Sequence, residues 1–386
     1  MQKIESNGLP IFSWCSKPER GALEQAENLA MLKFAFRHIV LLPDAHQGYG
    51  MPIGGVLATI DNIIPNAVGV DIGCGVRAVE TSLTEINSDT LKEICTQIKM
   101  ATPLGFEHHK RPQGYMPKLR DMQFDELDVP VVSREFSSAD RQIGTLGGGN
   151  HFIEIQKSDT GNIWLMLHSG SRHLGFTVAN HYNKLAKQLN EKMSQPQYAR
   201  HGLAFLPVKS KEFQLYLNEM NYCLNFAKTN RELMMKRIKE IFCVTTSAKI
   251  LQEFDVHHNY AAKETHFGKE VFVHRKGAIS AREGELGIVP GSQGTSSYIV
   301  KGKGNALSFN SCSHGAGRQM SRKGAVKNLS LEEEQKKLSG ILHSVRSAKD
   351  LDEAPGAYKD IDEVMREQED LAEIETALSP LAVIKG

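Results

Sequence analysis

Asp71 and Cys74 stand three residues apart in Asn66-Ala-Val-Gly-Val-Asp71-Ile-Gly73-Cys74-Gly75, a carboxylate and a thiol on a glycine-rich segment. Glycines at 73 and 75 allow a tight turn that aims both side chains at one point. Histidines in polar settings offer further donors: His151 in Gly147-Gly-Gly-Asn150-His151, His168 in Leu167-His168-Ser-Gly-Ser-Arg172, and the pair His257-His258 before Asn259-Tyr260. A lone cysteine beside glycine is more often a small buried hydrophobe. Histidines set among Gly, Ser and Asn, outside any apolar helix face, shift the reading to metal ligation. One divalent ion takes about four ligands and a thiolate can bridge two ions. Six candidate donors therefore suit two metals better than one.

The second half of the chain reads as phosphate-handling. Arg275-Lys276-Gly277-Ala278, Pro290-Gly291-Ser292-Gln293-Gly294-Thr295-Ser296-Ser297 and Ser311-Cys312-Ser313-His314-Gly315-Ala316-Gly317-Arg318 each combine glycine N–H groups with hydroxyls and cations. Such backbone nests bind anions. No Gly-x-x-x-x-Gly-Lys-Ser/Thr is present, and no Gly-x-Gly-x-x-Gly opens a helix after a strand, so P-loop and Rossmann chemistry have no support. His314 lies inside a phosphate cradle with no carboxylate beside it in sequence. Two roles stay open at this point: a nucleophile that attacks phosphorus, or a hydrogen-bonding group that orients a phosphate.

These residues must be positioned by a core that the composition readily supplies. The chain has 386 residues, 40% of them hydrophobic, and no Pro/Ser-rich linker, repeat or low-complexity tract divides it, so one compact unit over 1–386 is expected. Lys plus Arg (46) against Asp plus Glu (45) leaves a net charge of +1, so any nucleic-acid contact must use a local basic patch. The six cysteines form no Cys-x-x-Cys pair, and the start Met-Gln-Lys-Ile-Glu carries no apolar leader, which points to a reducing cytoplasm. No apolar run approaches the ~20 residues that span a bilayer, so no membrane role is expected. No heptad repeat is visible, and a monomer is the expectation.

Periodicity places a helix over 22–36, a buried strand over 38–42 ending at Pro43, and a polar loop from Asp44 to Gly50. Short strands are expected over 54–60, 67–70 and 76–81, the metal turn lying between the last two. Residues 103–140 lack periodicity and read first as a plain surface loop, with a flexible excursion or a substrate-facing flap as the alternative. A strand over 163–168 ends on His168; helices follow over 176–194 and 211–242, two sharing the latter span. Strands over 270–274, 286–289 and 297–300 come next. Ser330-Leu-Glu-Glu333 is a capping box, 360–378 is amphipathic, and Leu381–Gly386 is an apolar tail closing on lysine. Strand runs with segregated helices argue for an α+β fold.

Taken in order, Pro43-Asp-Ala-His46-Gln-Gly-Tyr-Gly, Val-Gly-Val-Asp71-Ile-Gly-Cys74-Gly, Gly-Asn150-His151-Phe-Ile-Glu154, Leu-His168-Ser-Gly-Ser-Arg172, His258-Asn259-Tyr260, Arg-Lys-Gly-Ala278, Pro-Gly-Ser-Gln293-Gly, Ser-His314-Gly-Ala-Gly-Arg318 and Ala-Tyr-Lys-Asp-Ile-Asp362 resemble the RtcB family of RNA-splicing ligases, through to the terminal Lys385-Gly386. The resemblance implies a single domain with mixed and antiparallel sheets flanked by helices around a metal and nucleotide cleft. It implies an enzyme that uses GTP and Mn²⁺ to join RNA 3′-phosphate or 2′,3′-cyclic phosphate ends to 5′-hydroxyl ends, in tRNA splicing or RNA repair. By position, Asp71, Cys74 and His151 would hold one manganese and Cys74, His168 and His258 the other, while His314 would take GMP. Guanylate would be held by Asn150, His151, Phe152, Ile153, Glu154, His258, Asn259, Pro290, Gly291, Ser292, Gln293, Ser297, His314, Gly315, Ala316, Gly317 and Lys385. The chain carries Gly147-Gly-Gly149 where members often carry Gly-Thr-Gly, and it is short over 103–140.

RNA itself would lie along a basic stripe including Arg275, Lys276, Arg282, Arg318, Arg322 and Lys323. Two other classes compete: a dinuclear metallohydrolase that only opens cyclic phosphates, and a non-catalytic GTP-responsive RNA-binding module. The first lacks a His-x-His-x-Asp-His cluster; the second needs neither Cys74 nor His314.

Overall fold

The apolar run His38–Leu42 does not stop at Pro43. In the computed structural model, which describes residues 1–386, one 15-residue strand, Ala35–Tyr49, runs through the proline and the expected polar loop. Pro43 is tolerated because the pairing with the next strand, Met51–Thr59, shifts register between Leu41 and His46, so no ladder bond needs its missing N–H. Lys359 braces this irregular stretch by donating from Nζ to Pro43 O (3.0 Å) and Ala45 O (2.6 Å).

Two sheets carry the site. The first has six strands in the order Gln2–Ile4, Ile11–Ser13, Ala35–Tyr49, Met51–Thr59, Lys269–Lys276 and Asn259–His266, with one parallel pairing, Ile11–Ser13 on Ala35–Tyr49. The second has seven antiparallel strands in the order Ile250–His257, Gly75–Thr81, Ile163–Ser169, Phe152–Ser158, Ala372–Lys385, Ser297–Gly302 and Leu286–Val289. The chain crosses between the sheets at His258, which links the strand ending at His257 to the strand beginning at Asn259. The architecture is α+β, as the pattern of elements implied.

Several local expectations are corrected. The span 211–242 holds one helix, Lys211–Thr246, 36 residues long. No Gly or Pro interrupts it, and buried side chains recur from Phe213 to Phe242, so packing sustains a single rod. Residues expected as a strand over 67–70 form instead a helical turn, Pro65–Val68, opened by its proline. The helix expected over 22–36 is Arg20–Ala30. Residues 360–378 divide into a helix, Ile361–Glu367, and the start of a 14-residue strand, Ala372–Lys385, which absorbs the apolar tail.

Within 103–140 a 3-10 turn, Leu119–Met122, precedes a helix, Pro130–Gln142. Its first N–H groups, on Val131 and Val132, donate to Glu219 on the long helix (2.5 and 2.9 Å). That remote carboxylate replaces a local cap, which is why no start signal is visible in the sequence. The long helix packs against the helix Arg172–Lys192 in the largest apolar cluster, while its C-terminal half covers one face of the second sheet. No helix is long and apolar enough to cross a membrane.

Candidate metal and nucleotide site

The Asp71–Cys74 turn closes with Cys74 N donating to Asp71 O (3.1 Å). Gly73 sits at φ +73°, and a Cβ there would lie 3.1 Å from Ala227 Cβ and from Leu224 Cα on the long helix. Glycine is required for both the backbone angle and the close approach. His168 is the penultimate residue of the strand Ile163–Ser169, and its neighbour across the ladder is Phe152, so His151, one residue earlier, reaches the same place. His258 arrives from the sheet junction, with its backbone N–H donating to Cys74 O (2.9 Å).

The donor atoms converge on Cys74. Its Sγ lies 3.2 Å from His168 Nε2 and 3.4 Å from His151 Nε2. His151 Nε2 is 3.1 Å from Asp71 Oδ2, and His168 Nε2 is 3.2 Å from His258 Nε2. Ligand atoms of Asp71, Cys74 and His151 all fall within 4.8 Å of one another, as do those of Cys74, His168 and His258. His257, the sixth candidate donor, is excluded by strand alternation; its Nδ1 faces Arg231 and Gly73 O.

Second contacts set the tautomers. His151 Nδ1 lies 2.8 Å from Leu146 O and His168 Nδ1 lies 3.1 Å from Asn150 O. A carbonyl only accepts, so each Nδ1 carries a proton; the His168 Nε2 then turns its lone pair to the cluster, and the His151 Nε2 faces the Asp71 carboxylate. Burial, reinforced by neighbouring imidazoles, holds His168 and His258 well below the ordinary histidine range, so both are neutral. Burial, then Asp71 beside it, pushes the Cys74 thiol well above its usual value. Burial also opposes the Asp71 charge, but hydrogen bonds from His151 outweigh it and keep that carboxyl at about 2. A carboxylate, neutral imidazole lone pairs and a thiol turned toward one another form a donor set that a divalent cation fits, and such a cation would reverse the upward push on the thiol.

A cleft of about 340 Å³ opens from this cluster toward His314. His314 Nδ1 lies 2.6 Å from Oδ2 of Asp44, which is fully buried, and the same oxygen accepts the His314 backbone N–H (3.1 Å). The His314 and His258 ring centroids are 4.7 Å apart. Gly317, at φ +73°, lets this loop lie against the Asp44 strand, since a Cβ there would meet Asp44 O at 2.3 Å. At the far end, Glu353 gathers Arg318 (3.1 Å), Arg322 (2.8 Å), Lys385 (3.6 Å) and the Tyr358 hydroxyl. Burial pushes the Glu154 carboxyl up to about 8 against the opposing charge of Lys385. Burial also lowers Lys276 to about 7; its Nζ donates to Tyr49 O and Asn66 O.

The family model for tRNA-splicing ligase RtcB matches residues 25–386. The chain is 38% identical to the RNA-splicing ligase RtcB of Escherichia coli K12, covering 100% of this chain and 97% of that protein. It is 34% identical to the tRNA-splicing ligase RtcB of Nanoarchaeum equitans (95% and 92% covered) and 32% identical to that of Thermococcus kodakarensis (94% and 91%). This chain belongs to the RtcB ligase family. RtcB membership makes it an RNA ligase by class, as the resemblance implied.

Among the residues singled out from the sequence, the RtcB cleft is lined by Asp71, Cys74, His168, His258 and His314 together with Asn150, Phe152, Glu154, Asn259, Pro290–Gln293, Gly315–Gly317 and Lys385. His151 sits behind Asp71 and Cys74. Ile153 points to the opposite face, into the apolar cluster with Ile155 and Leu165. Ser297 lies beneath the wall, accepting from Gly291 N (3.2 Å) and Gln156 Nε2 (3.1 Å). Of the basic stripe, Arg275 is fully buried on Glu264 (2.5 Å), whereas Lys276, Arg318 and Arg322 line the cleft, the last two paired with Glu353, and Arg282 and Lys323 are exposed. Asp44 and Glu353 escaped sequence reasoning. For Asp44 the signal was present, in Pro43-Asp-Ala-His46; Glu353 had none, since it ends a 3-10 turn, Ala348–Glu353.

Proposed function

We propose that this RtcB-family enzyme joins RNA 3′-phosphate or 2′,3′-cyclic phosphate ends to 5′-hydroxyl ends, consuming GTP through a guanylate carried on His314. The observation that carries this reading is the Asp44–His314 pair in the cleft beside the Cys74 cluster. Asp44 accepts the Nδ1 proton of His314, which leaves Nε2 unprotonated and free to attack. Attack on the α-phosphorus of GTP forms an N–P bond and releases pyrophosphate, and the buried carboxylate stabilises the imidazolium character that develops. A 2′,3′-cyclic phosphate must first be opened by water to a 3′-phosphate; guanylate then passes to that phosphate as the N–P bond breaks, and the 5′-hydroxyl displaces GMP to close the phosphodiester. Asp71, Cys74 and His151 would hold one Mn²⁺ and Cys74, His168 and His258 the other; bound there, the ions would draw charge from the phosphate oxygens. Softness of Cys and His alone favours zinc, so availability and coordination geometry would have to select manganese. Glu154 and Lys385 would recognise the purine, and the glycine N–H groups of 315–317 the phosphate.

The test incubates the protein with Mn²⁺ and GTP labelled at the α-phosphate, without RNA, beside His314→Ala. Label retained on the protein after denaturation, stable to alkali, lost in acid and missing from His314→Ala is the expected result. No label on metal-loaded protein that still opens cyclic phosphates would sink the guanylate route and favour the hydrolase.

A further inference from the structure

The long helix Lys211–Thr246 carries two fully buried polar residues at its middle, Asn230 and Arg231. Between them they bond to the residues next to Cys74, His168 and His258 and to the turn that leads into the His151 loop. Asn230 Oδ1 accepts from Gly144 N (2.7 Å) and Thr145 N (3.1 Å), and Nδ2 faces Thr145 O, Ser169 Oγ and Gly170 O at 3.1–3.2 Å. The next carbonyl, Leu146 O, accepts from both His151 Nδ1 and Ser169 Oγ (2.8 and 2.7 Å). Asn230 therefore ties the His151 loop to the residue that follows His168.

Arg231 uses every N–H it has. Nη1 donates to Gly73 O (2.9 Å), just before Cys74, and to Ser169 O (2.8 Å), just after His168. Nε and Nη2 pair with the two Asp255 oxygens (2.7 Å each), and Nη2 also reaches His257 Nδ1 (3.0 Å), just before His258. Five donors thus meet five acceptors on three separate strands and turns. A fully buried ion pair is weak support for stability in itself. Its planar, saturated fork is well suited to fixing distances between backbones.

We infer that Asn230 and Arg231 are positioning residues that set the spacing of both metal subsites from one helical dipeptide, so that a change at either residue weakens both subsites together. The inference rests on the metal assignment proposed above and on no step of the RNA chemistry. Changes to such supporting contacts weaken metal binding by ~10–100-fold.

The experiment uses metal-stripped full-length protein without GTP or RNA. Wild type, Asn230→Asp, Arg231→Lys and the milder Ser169→Ala are titrated with Mn²⁺ by competition against a fluorescent chelator. They are also titrated with Co²⁺, following the thiolate-to-cobalt absorption band that reports Cys74. Asn190→Asp serves as the structural control, because Asn190 is equally buried and holds Phe205 far from the cluster. Expected is weaker Mn²⁺ binding by ~10-fold or more at both subsites and an altered cobalt band in Asn230→Asp and Arg231→Lys. Ser169→Ala should shift both readouts in the same direction by less. Asn190→Asp should lower the melting temperature and leave metal affinity at the wild-type value. Lower melting temperatures with wild-type metal affinity in the Asn230, Arg231 and Ser169 variants would overturn the inference. Wild type that binds neither ion would instead remove the metal assignment, and this inference with it.

Discussion

At its proposed metal end the cleft is built from imidazoles, one thiol and one carboxylate, whose ligand atoms converge within hydrogen-bonding distance. Its proposed nucleotide end is built from full charges, with Glu353 among Arg318, Arg322 and Lys385. The first arrangement lacks positive charge and is rigidly held from behind; a cation completes it without rearrangement. The second sets three cations around one buried carboxylate, an excess of positive charge, and would exchange partners when an anionic ligand entered. The same fold thus prepares affinity at one end by geometry and specificity at the other by competition among charges.

Cys74→Ala should break the metal end most severely. It removes the one donor common to both triples, so RNA joining should fall by at least ~100-fold and the rise in melting temperature on adding Mn²⁺ should vanish. Joining at the wild-type rate would show that the cluster is not the metal site.

Asp44→Asn probes the point between the two ends. The amide no longer fixes the Nδ1 proton of His314, so protein guanylylation should drop by ~10²–10⁴-fold while Mn²⁺ affinity is unchanged. Equal loss of both would place Asp44 in the metal cluster rather than behind the nucleophile.

Glu353→Gln should give the smallest effect and sharpen the nucleotide end. Freeing Arg318, Arg322 and Lys385 from their competitor should lower KM for GTP by roughly 10-fold or less with kcat nearly unchanged. Burial opposes the Glu353 charge, but Lys385 and Arg322 outweigh it and hold the carboxyl below the ordinary 4.5. A carboxyl lowered by folding stabilises the native state above its unfolded value and loses that contribution as pH falls through the folded one. The melting-temperature gap between wild type and Glu353→Gln should therefore narrow as pH is taken from about 7 to about 3. A gap independent of pH would mean that Glu353 acts through shape and not charge.

The two ends also differ in how far they could be read before folding. Donors at the metal end were legible because carboxylate, thiol and imidazole announce their chemistry by type, and glycine at 73 announces a turn. The choice between His257 and His258 was not legible from spacing; it follows from strand alternation and the sheet crossover at that point. At the nucleotide end the glycine loops were visible, but Glu353 was hidden in an aperiodic stretch. Arg275 was misread as an RNA contact because a basic residue in a sequence shows its charge and not its burial against Glu264. Pro43 misled in the other direction: a register shift absorbed it, and the strand carried Asp44 on into the cleft.

The sequence by itself determined the chemical inventory, the α+β class and the local turns, because side-chain type and glycine's backbone freedom are properties of single residues and their near neighbours. Tertiary structure alone decided which donors meet. Asp44 and His314 lie 270 positions apart, and Arg231 reaches Gly73 across 158. Contacts of that range arise only when two sheets share the crossover at His258 and one unbroken helix packs behind them, and no local pattern encodes that packing.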